Sequence, residues 1–429
     1  MGNYTQDIVL GEIMAVAPKQ DKQLIVGLDI GTSKIAALVG EVGDDNTIEV
    51  IGFGSHPSTG LKRGVVVNIE STVNSIQRAI EEAELMAGCD INMAYTGIAG
   101  SHISSLNSHG IVAIRDREVN QADVDRVIEA AKAVAIPADQ QILHILPQEY
   151  IIDTQEGVRV PYGMSGVRLE AKVHIVTGAV SAAQNITKCV RRCGLAVGDV
   201  VLEQLASSYS VLNDDEKDLG VCMVDIGGGT TDIAIFTEGS IRHTAVIPIA
   251  GDHVTNDIAI ALRTPTKYAE EIKRKHGHVQ PHKVDANEKV EVPSVAGRPP
   301  KSISRRAIAQ VSAARYEELM TLIQNELRTS GFEDLISAGI VLTGGASKIE
   351  GATEMAEMIF QAPVRMGMPQ NVKGLADVRQ NPSYATGIGL LLHGLKCSQN
   401  DGGFKADTSF GSSGVSLWKR MKSWFAGNF

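Results

Sequence analysis

The chain has 429 residues, of which 43% are apolar and 21% charged, an ordinary balance for a soluble globular protein with room for two or more cores. Its formal net charge of −10 argues against non-specific binding to nucleic acid, which needs a basic surface. Residues 1–21 lack the basic start and cleavage pattern of a signal peptide, and no apolar run approaches the roughly 20 residues of a membrane-spanning helix, so we expect neither.

The five cysteines are scattered and odd in number, so the sequence predicts no disulfide framework and favours a reducing cytoplasm. Cys189 and Cys193 lie one helical turn apart in a predicted helix. Simple helix packing is favoured there over a structural metal, because no further His or Cys completes a site.

The first half of the chain alternates apolar runs with turns and then with amphipathic segments, a pattern typical of an α/β unit. A helix over residues 73–86 is expected to stop at Gly88. Residues 101–176 interrupt this unit with enough strand and helix material for a small subdomain, after which a strand at 173–176 is expected to resume the first unit. The remaining predicted elements are strands at 24–27, 35–39, 91–100, 111–114, 142–145 and 197–202, helices from Gln121 and over 203–212, and a solvated hinge at 213–218.

The second half repeats this plan from Gly220. It starts with two strands around a glycine-rich loop and ends with a small-residue helix that can pack closely where the two halves meet. The predicted elements are strands at 221–224, 233–236 and 340–343, a further strand to Ile249, helices from Asp252 and over 267–277, 305–327, 351–360 and 384–391, and an irregular loop at 281–300.

The loop Asp225–Asp232 places a carboxylate, three glycines and two threonines between two apolar strands. Glycine lets the backbone approach phosphate oxygens, and successive amides can then point at one anion. Because the loop joins strand to strand, it differs from a P-loop, which opens a helix. An ordinary hairpin turn is the alternative for such a loop alone.

A second copy favours the phosphate-binding interpretation. Asp29-Ile30-Gly31-Thr32-Ser33-Lys34 also stands between two apolar runs, in the other half of the chain. Two Asp-Ile-Gly hairpins predict duplicated domains whose loops face each other across a cleft. Together they are expected to bind a polyphosphate and one divalent metal ion.

With these pieces in place, residues 24–395 resemble the actin/Hsp70/sugar-kinase ATPase superfamily, whose nucleotide lies between two related domains. The two loops match its phosphate motifs, Leu342–Ala346 matches its adenosine motif, and residues 203–212 and 385–391 match its connecting helices. More narrowly, residues 205–212 and 293–300 and the insertion at 101–176 resemble the bacterial cell-division actin homologues.

The resemblance implies an actin-like duplicated α/β fold with an inserted subdomain of type 1C, and it implies roles for individual residues. Mg²⁺ would be held through water by Asp29 and Asp225, and Glu203 would orient a water if ATP is hydrolysed, slowly at most. A helix-terminal residue favoured by the dipole is the alternative for Glu203. The ATP-binding residues would be Gly31, Thr32, Ser33, Lys34, Gly227, Gly228, Gly229, Thr230, Thr231, Glu270, Lys273, Gly344, Gly345 and Ala346.

The resemblance also implies a division into subdomains. The expected ranges are an N-terminal extension at 1–21, 1A at 22–100, 177–218 and 380–396, 1C at 101–176, 2A at 219–258 and 336–379, and 2B at 259–335.

The C-terminal residues suit membrane attachment. Glycine and serine among polar neighbours predict a flexible linker at 397–414. At helical spacing, the large apolar residues that follow share one face and the cations lie outside it, as in a helix lying in a membrane surface. A terminal helix docked on the body is the alternative. The residues are Leu417, Trp418, Lys419, Arg420, Met421, Lys422, Trp424 and Phe425.

The function implied is an ATP-binding cell-division protein at the cytoplasmic face of the plasma membrane. It would assemble into actin-like filaments and anchor the tubulin-like protein FtsZ, whose C-terminal peptide would bind subdomain 2B, alongside other division proteins. The alternative is a small-molecule kinase or phosphatase of the same superfamily. An Hsp70-type chaperone is disfavoured because no large peptide-binding domain follows residue 395.

Overall fold

A computed structural model describes residues 23–295 and 298–401, so the N-terminal extension and the predicted membrane helix lie outside the described residues. The strands are β1 (Leu24–Ile30), β2 (Lys34–Val42), β3 (Ile48–Pro57), β4 (Leu61–Lys62), β5 (Val65–Val66), β6 (Met93–Ile98), β7 (Ser104–Ala113), β8 (Gln140–Ile152), β9 (Gln155–Val158), β10 (Arg168–Ala179), β11 (Ala196–Leu202), β12 (Val221–Ile226), β13 (Thr231–Thr237), β14 (Ser240–Ile247), β15 (Lys289–Val292), β16 (Lys301–Ser304), β17 (Ile340–Thr343), β18 (Val364–Met366) and β19 (Val372–Gly374). The helices are α1 (Ile69–Ala87), α2 (Gln121–Lys132), α3 (Val180–Arg192), α4 (Glu203–Val211), α5 (Asp214–Leu219), α6 (Gly251–Leu262), α7 (Thr266–His276), α8 (Arg305–Ser330), α9 (Ala352–Phe360), α10 (Ala376–Arg379) and α11 (Ala385–Asp401).

Two large sheets repeat one plan. The first has the order β11-β6-β1-β2-β3-β19, and the second the order β14-β13-β12-β17-β18. In each, an antiparallel hairpin carries a phosphate-loop motif at its turn, and the first strand of that hairpin also pairs in parallel with a later strand. The duplicated α/β architecture predicted from the two Asp-Ile-Gly hairpins is therefore confirmed.

Helix α1 covers the first sheet much as its sequence predicts. Asn68 caps its start by accepting a hydrogen bond from the Ser71 amide, and Gly88 ends it in the left-handed conformation at φ 66°. The helix packs so closely on β3 that a Cβ at Gly54 would lie 2.0 Å from the Ala79 carbonyl oxygen. Glycine at that position sets how near helix and strand can approach.

The inserted segment forms its own sheet, β7-β10-β8-β9, with α2 packed on one face. The prediction that residues 173–176 resume the first unit is wrong. In β10, Val173 pairs with Ser108 of β7 and with Pro147 of β8, so the strand lies at the centre of the inserted sheet. The chain rejoins the first unit only with α3 and β11.

Three further predictions need correction. Residues 213–218 are not a solvated hinge: Asn213 and Glu216 form a capping box that starts α5, and Glu216 also bonds Arg365 at 2.6 Å. The stretch at 281–300 is not wholly irregular, because β15 pairs with β16. Strand β19 pairs with β3, so the chain has returned to the first sheet by residue 372 rather than at 380.

The two halves meet where α4 crosses α11. Both helices contribute to one hydrophobic cluster that also takes side chains from both large sheets. A Cβ at Gly389 would lie 1.8 Å from the Ala206 carbonyl oxygen, so the helix backbones are nearly in contact. Ser210 Oγ completes the crossing by donating to the Ala385 carbonyl oxygen at 2.7 Å. None of the helices among the described residues has the length and apolarity needed to cross a membrane.

We expect Gly389→Ala to lower the free energy of unfolding by about 2–3 kcal/mol. Alanine favours a helix over glycine by about 1 kcal/mol, but its methyl group would collide with the Ala206 carbonyl and push the two helices apart. Urea unfolding measures the change, and Gln399→Ala, at an exposed position of the same helix, is the control. A Gly389→Ala protein as stable as the wild type would contradict this account of the crossing.

Candidate phosphate-binding cleft

The two phosphate-loop motifs lie against each other. A Cβ at Gly228 would lie 1.8 Å from Ser33 Oγ, and one at Gly229 would lie 2.6 Å from Thr32 Oγ1. Ser33 Oγ also donates to Asp252 Oδ1 at 3.2 Å, at the start of α6. The structure thus brings together the loops from the two halves, as the duplicated motifs predict.

Backbone amides are available at this junction. Residues 31–33 and 227–230 lie in loops between paired strands, and the N–H groups of Gly228 and Gly229 have no acceptor among the residues that the structure describes. A side chain at either glycine would fill the space beside the first loop. These features fit a backbone cradle for phosphate oxygens.

The threonine hydroxyls of the second loop are used inside the protein. Thr230 Oγ1 donates to Asp232 Oδ2 at 3.0 Å, and the fully buried Thr231 donates to the Ile249 carbonyl oxygen at 2.7 Å. In this arrangement neither hydroxyl is free to donate to a phosphate. Any contribution of Thr230 and Thr231 to phosphate binding would come from the backbone.

Asp225 is held at the helix crossing. Its Oδ2 accepts from Ser207 Oγ at 2.7 Å and from Thr386 Oγ1 at 3.4 Å, one residue from each connecting helix. Burial raises the pKa of Asp225, and these two hydroxyl donors lower it. Its Oδ1 lies 2.3 Å from the position of a Cβ at Gly344, which has a φ of 87° and tolerates this approach only as glycine.

Lys34 faces Asp29 from the first loop. Its Nζ donates to the Ser383 carbonyl oxygen at 2.6 Å and lies 3.5 Å from the centre of the Tyr384 ring. Burial lowers the pKa of Lys34 to about 8, against the attraction of Asp29 and Asp225. Burial raises the pKa of Asp29 to about 6, while Lys34 lowers it.

Two further carboxylates converge on the same place. Burial and the charge of Asp225 raise the pKa of Asp232 to about 8, and Asp232 Oδ1 is buried without a partner in the described part of the chain. Burial raises the pKa of Glu203 well above its ordinary value, and the charges of Asp29, Asp232 and Asp225 raise it further. A cation bound beside these buried carboxyl groups would favour their ionised forms and so lower their pKa values.

Oxygen ligands of this kind suit Mg²⁺, which usually keeps several waters and takes one or two carboxylates. Among the described residues, no three His, Cys, Asp or Glu side chains are close enough to hold a metal ion directly. The carboxylate oxygens of Asp29 and Asp225, buried beside the two loops, are of the kind that a hydrated Mg²⁺ takes.

Glu203 is the first residue of α4 and lies beside the end of β6. Its Oε1 is 3.1 Å from the position of a Cβ at Gly97. It faces the aspartates of both loops, but a helix-terminal role explains its position in the sequence equally well.

The predicted nucleoside residues lie together on the second half. Lys273 Nζ donates to the Gly251 carbonyl oxygen at 3.0 Å and pairs with Glu270 at 2.6 Å. A Cβ at Gly251 would lie 3.0 Å from the Ala346 Cβ, and one at Gly345 would lie 3.2 Å from Ser383 Oγ. The structure thus places Glu270 and Lys273 beside the turn that contains Gly344, Gly345 and Ala346.

The sequence analysis missed Ser207 and Thr386 as partners of Asp225, and Asp252 as a partner of Ser33. Hydroxyl residues in both connecting helices were the available signal, because small polar residues in buried helices need partners. No local sequence pattern indicates which carboxylate Ser207 and Thr386 would bind.

Comparison with known proteins agrees with this geometry. Residues 222–389 match the family described as Cell division protein FtsA, and residues 100–177 match the SHS2 domain inserted in FtsA. The chain is 66% identical over 420 residues to FtsA of Pseudomonas aeruginosa, covering 96% of this chain and 100% of that protein. It is 49% identical over 416 residues to FtsA of Escherichia coli K12, covering 95% and 99%.

Solved structures with the same fold are more distant in sequence. The PilM-PilN type IV pilus biogenesis complex matches with a TM-score of 0.64 at 17% identity, covering 86% of this chain and 98% of that one. MreB 5 of Spiroplasma citri bound to AMPPNP matches with a TM-score of 0.55 at 17% identity, covering 89% and 98%. These likenesses confirm the actin-like fold.

We expect Asp232→Asn to change how stability depends on pH. The folded pKa of about 8 lies above the ordinary 3.8, so the native protein retains a proton that the unfolded chain has lost. The associated stability is complete below about pH 4 and is lost as pH rises to about 8, at up to about 1.4 kcal/mol per pH unit. Relative to Asp232→Asn, the free energy of unfolding of the wild type should fall across that range and then stay constant above about pH 8.

Urea unfolding from pH 4 to 9 without Mg²⁺ or nucleotide measures this difference. Asp29→Asn is the matched comparison, because the pKa of Asp29 is raised only to about 6. The difference in the free energy of unfolding between the wild type and Asp29→Asn should therefore become constant above about pH 6. Parallel curves for wild type and Asp232→Asn would contradict the raised pKa of Asp232.

Proposed function

This chain belongs to the FtsA family of cell-division proteins, and from that membership we propose that it binds ATP and self-associates at the cytoplasmic face of the plasma membrane. There it anchors FtsZ filaments at the division site. The observation that carries the nucleotide part is the contact between two phosphate-loop motifs around Asp29 and Asp225. The fold neighbour MreB 5, solved with AMPPNP, supports the same ligand class.

In this proposal the phosphates bind the backbone of residues 31–33 and 227–231 and the ammonium group of Lys34. The nucleoside lies against Gly344–Ala346, with Glu270 and Lys273 reaching its adenine or ribose. When bound, Mg²⁺ supplies positive charge beside the phosphates, held through water by Asp29 and Asp225. The buried carboxylates explain why a cation would bind with the nucleotide.

Hydrolysis is expected to be slow. Glu203 has a strongly raised pKa because burial and three aspartates oppose its ionisation, so it is a poor base until a cation enters the cleft. This supports a nucleotide switch in which ATP controls assembly and turnover is secondary.

The C-terminal residues are proposed to attach the protein reversibly to anionic lipid. Lys419, Arg420 and Lys422 each contribute about 1 kcal/mol near such a surface, and the aromatic face adds apolar burial. Residues 259–335 are proposed to bind the C-terminal peptide of FtsZ. Self-association is proposed to involve this region and the inserted sheet.

We expect Asp225→Ala to abolish Mg-ATP binding in titration calorimetry, because it removes one of the two carboxylates proposed to hold the hydrated metal ion. Asp44→Asn, an exposed carboxylate in the β2–β3 turn, is the control and should bind ATP like the wild type. Thermal unfolding checks that the variant is folded. Unchanged affinity in a folded Asp225→Ala protein would remove the metal role.

We expect vesicles rich in phosphatidylglycerol to shift the tryptophan emission to the blue, because Trp418 and Trp424 are the only two tryptophans of the chain. Neutral phosphatidylcholine vesicles should cause little change. Replacing Lys419, Arg420 and Lys422 with glutamine should weaken sedimentation with anionic vesicles, and deleting residues 415–429 should abolish it. Unshifted emission, or full sedimentation of the deletion variant, would contradict the membrane role.

The same vesicles test the function as a whole. With ATP, the bound protein should form filaments that retain a labelled FtsZ C-terminal peptide. Rapid ATP turnover with a small acceptor and no retained peptide would instead favour a kinase or phosphatase.

A further inference from the structure

The hairpin of β4 and β5 ends in an unusual turn. Leu61 pairs with Val66 and Lys62 with Val65, which leaves Arg63 and Gly64 as its two central residues. Both are left-handed, with φ of 50° and 76°, as a type I′ turn requires. Asn or Gly is usual at the first of these positions, whereas arginine rarely adopts this conformation.

This turn contacts both phosphate loops. The Gly64 amide donates to Thr32 Oγ1 at 2.9 Å, in the first loop. A Cβ at Gly229, in the second loop, would lie 2.9 Å from the Arg63 Cα. The backbone of Arg63 is therefore fixed where the two halves of the cleft meet.

A series of contacts leads from the proposed nucleoside position to this turn. Ala346 contacts Gly251, and the next residue, Asp252, bonds Ser33 of the first loop. Thr32 then contacts Gly229, against which Arg63 packs. A nucleotide whose base lies beside Ala346 would extend its phosphate chain along this series of contacts towards Arg63.

Lys34 is the cation already proposed to bind phosphate, and its Nζ also donates to the Ser383 carbonyl oxygen and lies over the Tyr384 ring. A second cation at the junction of the two loops would add to its contribution. The Arg63 side chain is exposed, and it forms no hydrogen bond or ion pair with any residue between 23 and 401 that the structure describes. It is free to bind an anion, and a guanidinium group suits phosphate oxygens.

We propose that Arg63 binds the terminal phosphate of the nucleotide and so distinguishes a triphosphate from a diphosphate. This inference rests on the proposed ATP binding and adds a residue that distinguishes bound ATP from bound ADP. The hairpin is also tied to the start of α1, because the Val67 and Asn68 amides donate to the Gly60 carbonyl oxygen at 2.8 and 3.0 Å. Contact with the phosphate is thereby transmitted to the helix that covers the first sheet.

Arg63→Asn is the decisive variant, because asparagine tolerates the left-handed turn but carries no charge. Calorimetry of the full chain with Mg²⁺ should give an ATP affinity lower by about tenfold or more, consistent with the loss of one charge-assisted contact, and an ADP affinity nearly unchanged. Arg63→Lys should fall between wild type and Arg63→Asn. Lys62→Gln, which removes the neighbouring exposed charge of the same hairpin, should change both affinities equally and slightly.

Hydrogen exchange gives a second readout that does not depend on affinity. ATP should protect the amides of residues 60–72 more than ADP does in the wild type, and this difference should disappear in Arg63→Asn. If the wild type binds no ATP, the proposed function fails. If the wild type binds ATP but Arg63→Asn keeps its preference for ATP over ADP, or Lys62→Gln loses it equally, the role of Arg63 is overturned.

Discussion

A buried carboxylate at a helix crossing is the constraint on which the cleft depends. Asp225 accepts hydrogen bonds from Ser207 of α4 and Thr386 of α11, and these two side chains lie 3.0 Å apart. Because the helices cross almost in backbone contact at Gly389, a rotation of one half against the other would move these donors relative to Asp225. Domain movement and the charge at the cleft are therefore mechanically connected.

The cleft is built at a cost in stability. Burial raises the pKa of Asp29, Asp225, Asp232 and Glu203, and the charge of Asp225 raises the pKa of the other three further. A ligand that brings positive charge relieves this opposition and stabilises the closed arrangement by mass action. In the proposed function, the same electrostatics favour a nucleotide bound together with its metal ion.

Local sequence predicted the two phosphate loops, the start of α2 and the end of α1 at Gly88, because glycine turns and helix caps are set by neighbouring residues. It did not predict which sheet β10 joins, because strand pairing is decided by contacts between separate segments and not by the residues of the strand itself. The capping box at Asn213 was present in the sequence, but its charged neighbours favoured a hinge. Arg63 went unnoticed because nothing local indicates which loops a hairpin tip will contact.

Helix α11 links the cleft to the end of the chain. Thr386, in its first turn, contacts Asp225, and its 17 residues reach to Asp401. At 1.5 Å per residue the helix is about 25 Å long, stiff enough to carry a displacement from one end to the other. The predicted linker begins at residue 397, so residues 397–401 belong to this helix and that boundary needs correction; residues 402–414 and the predicted membrane helix come later in the sequence. In the proposed function, a change in nucleotide that shifts the crossing would therefore reorient the body of the protein relative to the residues after 401, and so relative to the membrane to which those residues are proposed to attach.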